Sequence, residues 1–184
     1  MNIVGISGSP RPGSVSSIIL RAASEFVGTG VEFILYESVL DLPHFNPDAD
    51  SVPADPAVEK LRTILRTADG VMICTPEYAF SIPSILKNAL EWVVSSGELY
   101  EKPLLPISTS PSPPGGDKAH AELRMVLKAL GARTINEEML CIGSTRKTIS
   151  QRGEIQDPAT IEKITKAVTQ LIQLVNQKPG EQVS

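Results

Sequence analysis

Apolar and polar positions follow two periods along the chain. Short β-branched runs predict strands at "NIVGIS" near the start, "VEFILYE" at 31–37, "GVMICT" at 70–75 and "PLLPIST" at 103–109. A fifth strand is placed near "INEEMLCIG", at 135–143. Between these runs, apolar residues recur at helical spacing: Val15, Ile19, Ala22 and Phe26; Val58, Leu61 and Leu65; Leu86, Ala89, Leu90 and Val93. Two more stripes follow, Leu123–Val126–Leu127–Leu130, ended by Gly131, and Ile161–Ile164–Val168–Leu171–Val175. Pro83 suits the first turn of its helix, where a missing N–H costs nothing. Pro103 suits the start of a strand, whereas Pro106 sits awkwardly within one.

Strands alternating with helices predict an α/β sandwich. "GVMICT" is a continuous apolar run, as expected of a parallel strand covered on both faces. The right-handed crossover rule gives three layers, and the five-strand version is the flavodoxin-like parallel sheet in the order 2-1-3-4-5, with helices on both faces. The chain has 184 residues, which fits one domain over 1–178 with a frayed tail at 179–184.

Ligands of such sheets sit beyond the carboxyl ends of the strands, near the switch in strand order. There the order brings together three loops rich in Gly, Pro and Ser: "GSPRPGSVSS", "PEYAFSIP" and "SPSPPGGD". The first precedes a helix, whose N-terminus offers N–H groups and a partial positive field. Gly8 and Gly13 let backbone approach, Ser9, Ser14, Ser16 and Ser17 supply hydroxyls, and Arg11 supplies charge. An ordinary turn needs one capping serine, so four of them point to a phosphate. The glycines match neither established phosphate motif. Ser14 stands where a G-x-x-x-x-G-K-[ST] loop needs lysine, and Gly5, Gly8 and Gly13 miss the G-x-G-x-x-G spacing. Glu37, at the end of the second strand, is weak evidence alone. A mononucleotide with one terminal phosphate fits best.

The second loop, Glu77–Phe80, offers peptide groups and two aromatic rings to a flat heterocycle, and Phe80 is the better placed to face a partner chain or substrate. The third, from Ser110 to Gly116, closes the other side. No Ser/His/Asp or Cys/His set and no carboxylate pair falls on these loops, as expected where a cofactor carries the chemistry. His120, early in a helix, is expected at the surface. Cys74 and Cys141 read as buried, reduced thiols. The net charge of −4 and scattered basic residues argue against a nucleic-acid partner. No apolar run approaches the ~20 residues of a membrane span, and no leader is evident, so the expected setting is cytoplasmic.

Two motifs carry a family resemblance. "GSPRPGSVS" resembles the "GS-x-R-x-x-S-x-N" signature of the NADPH-dependent FMN reductases, and "TPEYAFSIPSILKNALEW" resembles their "P-E-Y-N" and "P-x-x-L-K-N-A-x-[DE]-W". The resemblance implies that Ser9, Arg11, Ser14, Ser16 and Ser17 bind the FMN phosphate. It implies that Pro76, Glu77, Tyr78 and Ala79 border the ring, with Ser110, Gly115 and Gly116 completing the pocket. Lys87, Asn88 and Trp92 would serve helix packing or a subunit interface. Ser16 and Ala79 each replace an Asn of the family pattern. Also implied are NADPH or NADH as co-substrate, a small-molecule electron acceptor (quinone, azo compound, metal oxyanion or free flavin), and a homodimer or homotetramer. Two alternatives stay open: an FMN electron carrier that does not oxidise NAD(P)H, and a flavin-free binding protein on the same fold.

Overall fold

The elements run β1 (Asn2–Ser7), α1 (Val15–Ser24), β2 (Glu32–Tyr36), α2 (Pro56–Thr67), β3 (Gly70–Pro76), α3 (Ser84–Glu91), β4 (Pro103–Thr109), α4 (Asp117–Ala129), β5 (Arg133–Thr134), β6 (Leu140–Ile142), α5 (Thr145–Thr148) and α6 (Pro158–Asn176). The computed structural model describes residues 1–50, 54–135, 140–150 and 153–177. The tail expected to fray at 179–184, and 136–139 of the run expected as a fifth strand, lie outside the described residues.

Side chains of a strand alternate faces, and here each face feeds its own core. Ile3, Met72, Cys74, Leu105 and Ile107 pack beneath α1 and α6, against Ile19, Leu20, Ile164 and Val168. Val4, Ile6, Val71, Ile73 and Leu104 pack beneath α2, α3 and α4, against Leu61, Leu86 and Leu123. Among the described residues every pairing between these strands is parallel, in the order β2-β1-β3-β4-β5, with β6 also on β4.

The fifth position differs in detail from the expected run. Two short strands share it: β5 pairs Pro103 and Leu104, and β6 pairs Ile107 to Thr109. Among the described residues Leu105 and Pro106 have no partner in either ladder, so no described pairing is lost to the proline. On the β3 side the strand continues unbroken, with Pro106 opposite Ile73. The Leu104 carbonyl accepts from the Ile135 N–H on the β5 side, so Pro106, two residues on, turns its absent N–H to that same side.

His120 lies against that proline and corrects the surface placement expected for it. It shares the buried stripe of α4 with Ala119, Leu123 and Leu127 and is 1% exposed. Its Nε2 lies 3.2 Å from the Pro106 carbonyl, an acceptor, so the ring's proton resides there, and Nδ1 has no hydrogen-bond partner among the described residues. Burial lowers the His120 pKa, the Pro106 carbonyl opposes that shift, and Arg124 adds to it. The unfolded chain protonates this ring near pH ~6.5, the folded chain only at lower pH. The stability held by the neutral ring is therefore complete above that value. It falls with acidification by up to about 1.4 kcal/mol per pH unit until the folded ring titrates. The urea midpoint should drop between about pH 7 and pH 5, and drop less in His120→Gln. Equal drops in both proteins would place the acid sensitivity elsewhere.

Asn88 and Trp92 hold one loop in place. The Asn88 side chain accepts from the Phe45 N–H at 2.7 Å and donates to the Pro43 carbonyl at 2.9 Å, which Trp92 Nε1 also reaches at 2.8 Å. Lys87 instead pairs with Glu91 on the surface.

Candidate functional site

The turns after β1, β3 and β4 meet at the carboxyl edge of the sheet around a cavity of about 210 Å³, open to solvent. Of the residues singled out in the sequence, Ser9, Arg11, Ser14, Ser16, Pro76, Glu77, Tyr78 and Ser110 line it. Ser17, Ala79, Gly115 and Gly116 do not.

The first turn is built as an anion cradle. Ser14 caps α1, its Oγ accepting from the Ser17 N–H at 3.2 Å. The Ser17 hydroxyl turns inward and donates to Ser7 Oγ at 3.1 Å, closing a triangle with Ser14. Ser17 thus supports the cap from behind. Helix geometry leaves the Val15 and Ser16 N–H groups without intrahelical acceptors. Ser16 contributes that backbone group, because its own hydroxyl is fully buried. It lies by the Cys74 thiol and tempers the rise that burial imposes there, to about 12, so Cys74 stays protonated and inert. Arg11 stands exposed at the rim with no carboxylate partner among the described residues.

The second turn is tight. Tyr78 and Ser81 exchange both backbone hydrogen bonds at 3.0 Å. Ala79 and Phe80 between them have φ of 51° and 61°. This geometry favours Asn-Gly, and other residues held there cost about 1–3 kcal/mol each. Ala79 therefore lies at the exposed tip of the turn and does not line the cavity. Phe80 is 78% exposed and Tyr78 43%. The Glu77 carboxylate accepts from the N–H groups of Lys118 and Ala119 at 3.0 and 3.1 Å. It caps α4, whose N-cap, Gly116, has no side chain to do so.

In the third turn Ser110 faces the cavity, while the two glycines pack away from it. A Cβ on Gly115 would lie 2.6 Å from the Cys141 carbonyl carbon, and one on Gly116 3.2 Å from Glu77 Cβ. The Gly115 carbonyl accepts from Ser108 Oγ at 2.8 Å. Thr109, Pro111 and Thr145 also line the cavity and were not singled out in the sequence. Thr145 follows "GS" after an apolar run, a strand–turn–helix signal in the same style as the first loop. Its N–H reaches the Ser110 carbonyl at 3.4 Å, tying α5 to the third turn.

The donor set suits a phosphate: two serine hydroxyls, unpaired N–H groups at a helix start and one uncommitted guanidinium. The carboxylate at the wall, Glu77, is turned to the N–H groups at the start of α4, which offset part of its charge. Beside the cradle, the Pro76–Tyr78 and Ser110–Pro111 segments form two peptide walls of the kind a flat heterocycle requires.

This sheet order, with the site at its switch point, defines a flavodoxin-like α/β protein. A single-site mutant of the flavodoxin of Pseudomonas aeruginosa shares that fold at 13% identity, with a TM-score of 0.60 over 96% of this chain and 100% of its own. The chain belongs to the NADPH-dependent FMN reductase family, whose profile matches residues 1–146. It is thus an NAD(P)H-dependent oxidoreductase. It is similar to a quinone reductase of Escherichia coli (strain K12), 32% identical over 173 residues and 92% of each chain. It is also similar to an NAD(P)H-dependent FMN reductase of Pseudomonas aeruginosa, 31% identical over 89% of each chain. The flavoenzyme NAD(P)H:(acceptor) oxidoreductase FerB of Paracoccus denitrificans superposes with a TM-score of 0.84 at 25% identity, covering 95% of this chain and 97% of its own.

Proposed function

We propose that the cavity holds FMN, with its phosphate at the start of α1 and its ring between the Pro76–Tyr78 and Ser110–Pro111 segments. NAD(P)H would reduce it, and a small-molecule acceptor such as a quinone or azo compound would reoxidise it. The observation that carries this reading is the convergence of the cradle and two peptide walls on one open cavity. When bound, FMN supplies hydride acceptance and onward electron transfer. The chain's own tasks are simpler. Ser9, Ser14, the Val15 and Ser16 N–H groups and Arg11 bind the phosphate. The two walls orient the ring and keep water from its buried face, while the open side leaves room for NAD(P)H and then the acceptor.

Leu40, Tyr78 and Phe80 are large apolar side chains exposed on this chain. They support a homodimer or homotetramer in which a second copy covers part of that surface. Among the described residues no helix is long and apolar enough to cross a membrane, and the free thiols of Cys74 and Cys141 suit the reducing cytoplasm.

The test is reconstitution with FMN followed by steady-state NADPH and NADH oxidation with a quinone. A bound-flavin spectrum with turnover is expected. A yellow protein that never oxidises either nucleotide would restrict it to electron carriage, and a colourless one would remove the cofactor from the reading.

A further inference from the structure

Two carboxylates are exchanged between the turn after β3 and α4, and the second has no part in the cradle or the cavity walls. Glu77 reaches from the turn to the helix. Glu122, farther along α4, reaches back: its Oε2 accepts from Ser81 Oγ at 2.5 Å and from the Ile82 N–H at 2.9 Å. The strained pair, Ala79 and Phe80, lies between these two ties. The Tyr78–Ser81 hydrogen bonds close the turn, but they cannot orient it relative to the sheet. The carboxylates do that, and α4 is a firm anchor, packed through Leu123 and Leu127 and linked to β4 by His120. A charged acceptor holding two donors is the strong form of a hydrogen bond. Here it acts on Ser81 and Ile82, at the far side of the turn that continues from the Pro76–Tyr78 wall.

We propose that Glu122 is a positioning residue of the reductase: it holds the Tyr78–Ile82 segment so that the Pro76–Tyr78 backbone meets the flavin ring. This rests on FMN occupying the cavity. Glu122 touches neither cofactor nor substrate; it acts through Ser81 and Ile82.

The test compares Glu122→Ala, Glu122→Gln and Ser81→Ala with the wild-type chain. The readouts are FMN affinity by fluorescence titration, the visible circular dichroism of the bound flavin, and kcat/KM with a quinone. Glu122→Ala should weaken FMN binding about tenfold and change the flavin's dichroism. Glu122→Gln keeps an oxygen for both donors and should restore affinity to within about threefold. Ser81→Ala, which removes one of the two contacts, should fall between them. A folded Glu122→Ala with wild-type affinity and dichroism overturns the proposal whatever its melting temperature, since it would then be a structural tie alone. Should Glu122→Ala fail to fold, Ser81→Ala decides by the same readouts, and wild-type values there overturn the proposal. A wild-type chain that takes up no FMN sinks the cofactor reading itself, and the role of Glu122 with it.

Discussion

Ser14→Asp will leave the fold intact and abolish flavin retention. Aspartate ranks with serine as an N-cap, and its charge is favourable at a helix start. Its carboxylate can accept from the Ser17 N–H and from the Ser7 hydroxyl, which Ser14 Oγ now contacts at 3.2 and 3.3 Å. The unfolding free energy should therefore stay within about 1 kcal/mol of wild type. For a phosphate the same change is severe, since a second anion would occupy the cradle. Like charges brought together at a binding surface cost several kcal/mol, so FMN affinity should fall at least about a hundredfold. Arg11→Ala removes only one charged donor at an exposed rim and should weaken binding about tenfold. Riboflavin, which lacks the phosphate, supplies the control: its affinity should be the same in wild type and Ser14→Asp. Unchanged FMN retention in Ser14→Asp would put the phosphate somewhere else.

The largest stability loss is expected at Asp50 and Arg62. Arg62 is buried in α2, where its Nε and Nη2 donate to the Trp92 carbonyl at 3.1 and 2.6 Å, and Nη2 also to Asp50 Oδ1 at 2.7 Å. Asp50 accepts from Ser95 Oγ at 2.5 Å as well. This network joins the loop before α2 to the end of α3. Asp50→Ala leaves a guanidinium enclosed without its counter-charge, a change worth about 3–5 kcal/mol. For a chain of this size that lowers the melting temperature by about 6–20 °C. Replacing both partners, Asp50→Ala together with Arg62→Met, leaves no buried charge unpaired and should cost less than Asp50→Ala alone. A loss for the double variant equal to that for Asp50→Ala would mean that packing, not charge, dominates there. The Arg62 hydrogen bond, then that from Ser95, holds the Asp50 carboxyl below its usual range. The contribution is therefore present above the ordinary carboxylate pKa and is lost as pH falls through the lowered folded value.

Much of the architecture is legible along the chain because the apolar periods are long and self-consistent. The strands through Ile3, Met72 and Leu105, and the stripes through Leu61, Leu86 and Leu123, are all readable in this way. The fifth position is less so. Each piece of it is two or three residues long, too short for a period of two to register. The burial of His120 is hidden by its residue type, although it lies on the same stripe as Leu123 and Leu127. A polar side chain gives no apolar signal, and what permits its burial is the Pro106 carbonyl, from a strand fourteen residues earlier.

The site divides along the same line. Local chemistry, read in order along the chain, determined the cap at Ser14, the turn chemistry of the three loops and, through the alternation of strands and helices, the sheet order that brings those loops together. Contacts between distant segments decided which side chains face the cavity. Ser17 turns inward to Ser7, Gly115 and Gly116 pack behind, and Glu77 serves α4. Thr145 enters from an element the periodicity did not show. Periodicity reports how a residue sits within its own element, whereas the orientation of a turn depends on what the rest of the fold presses against it.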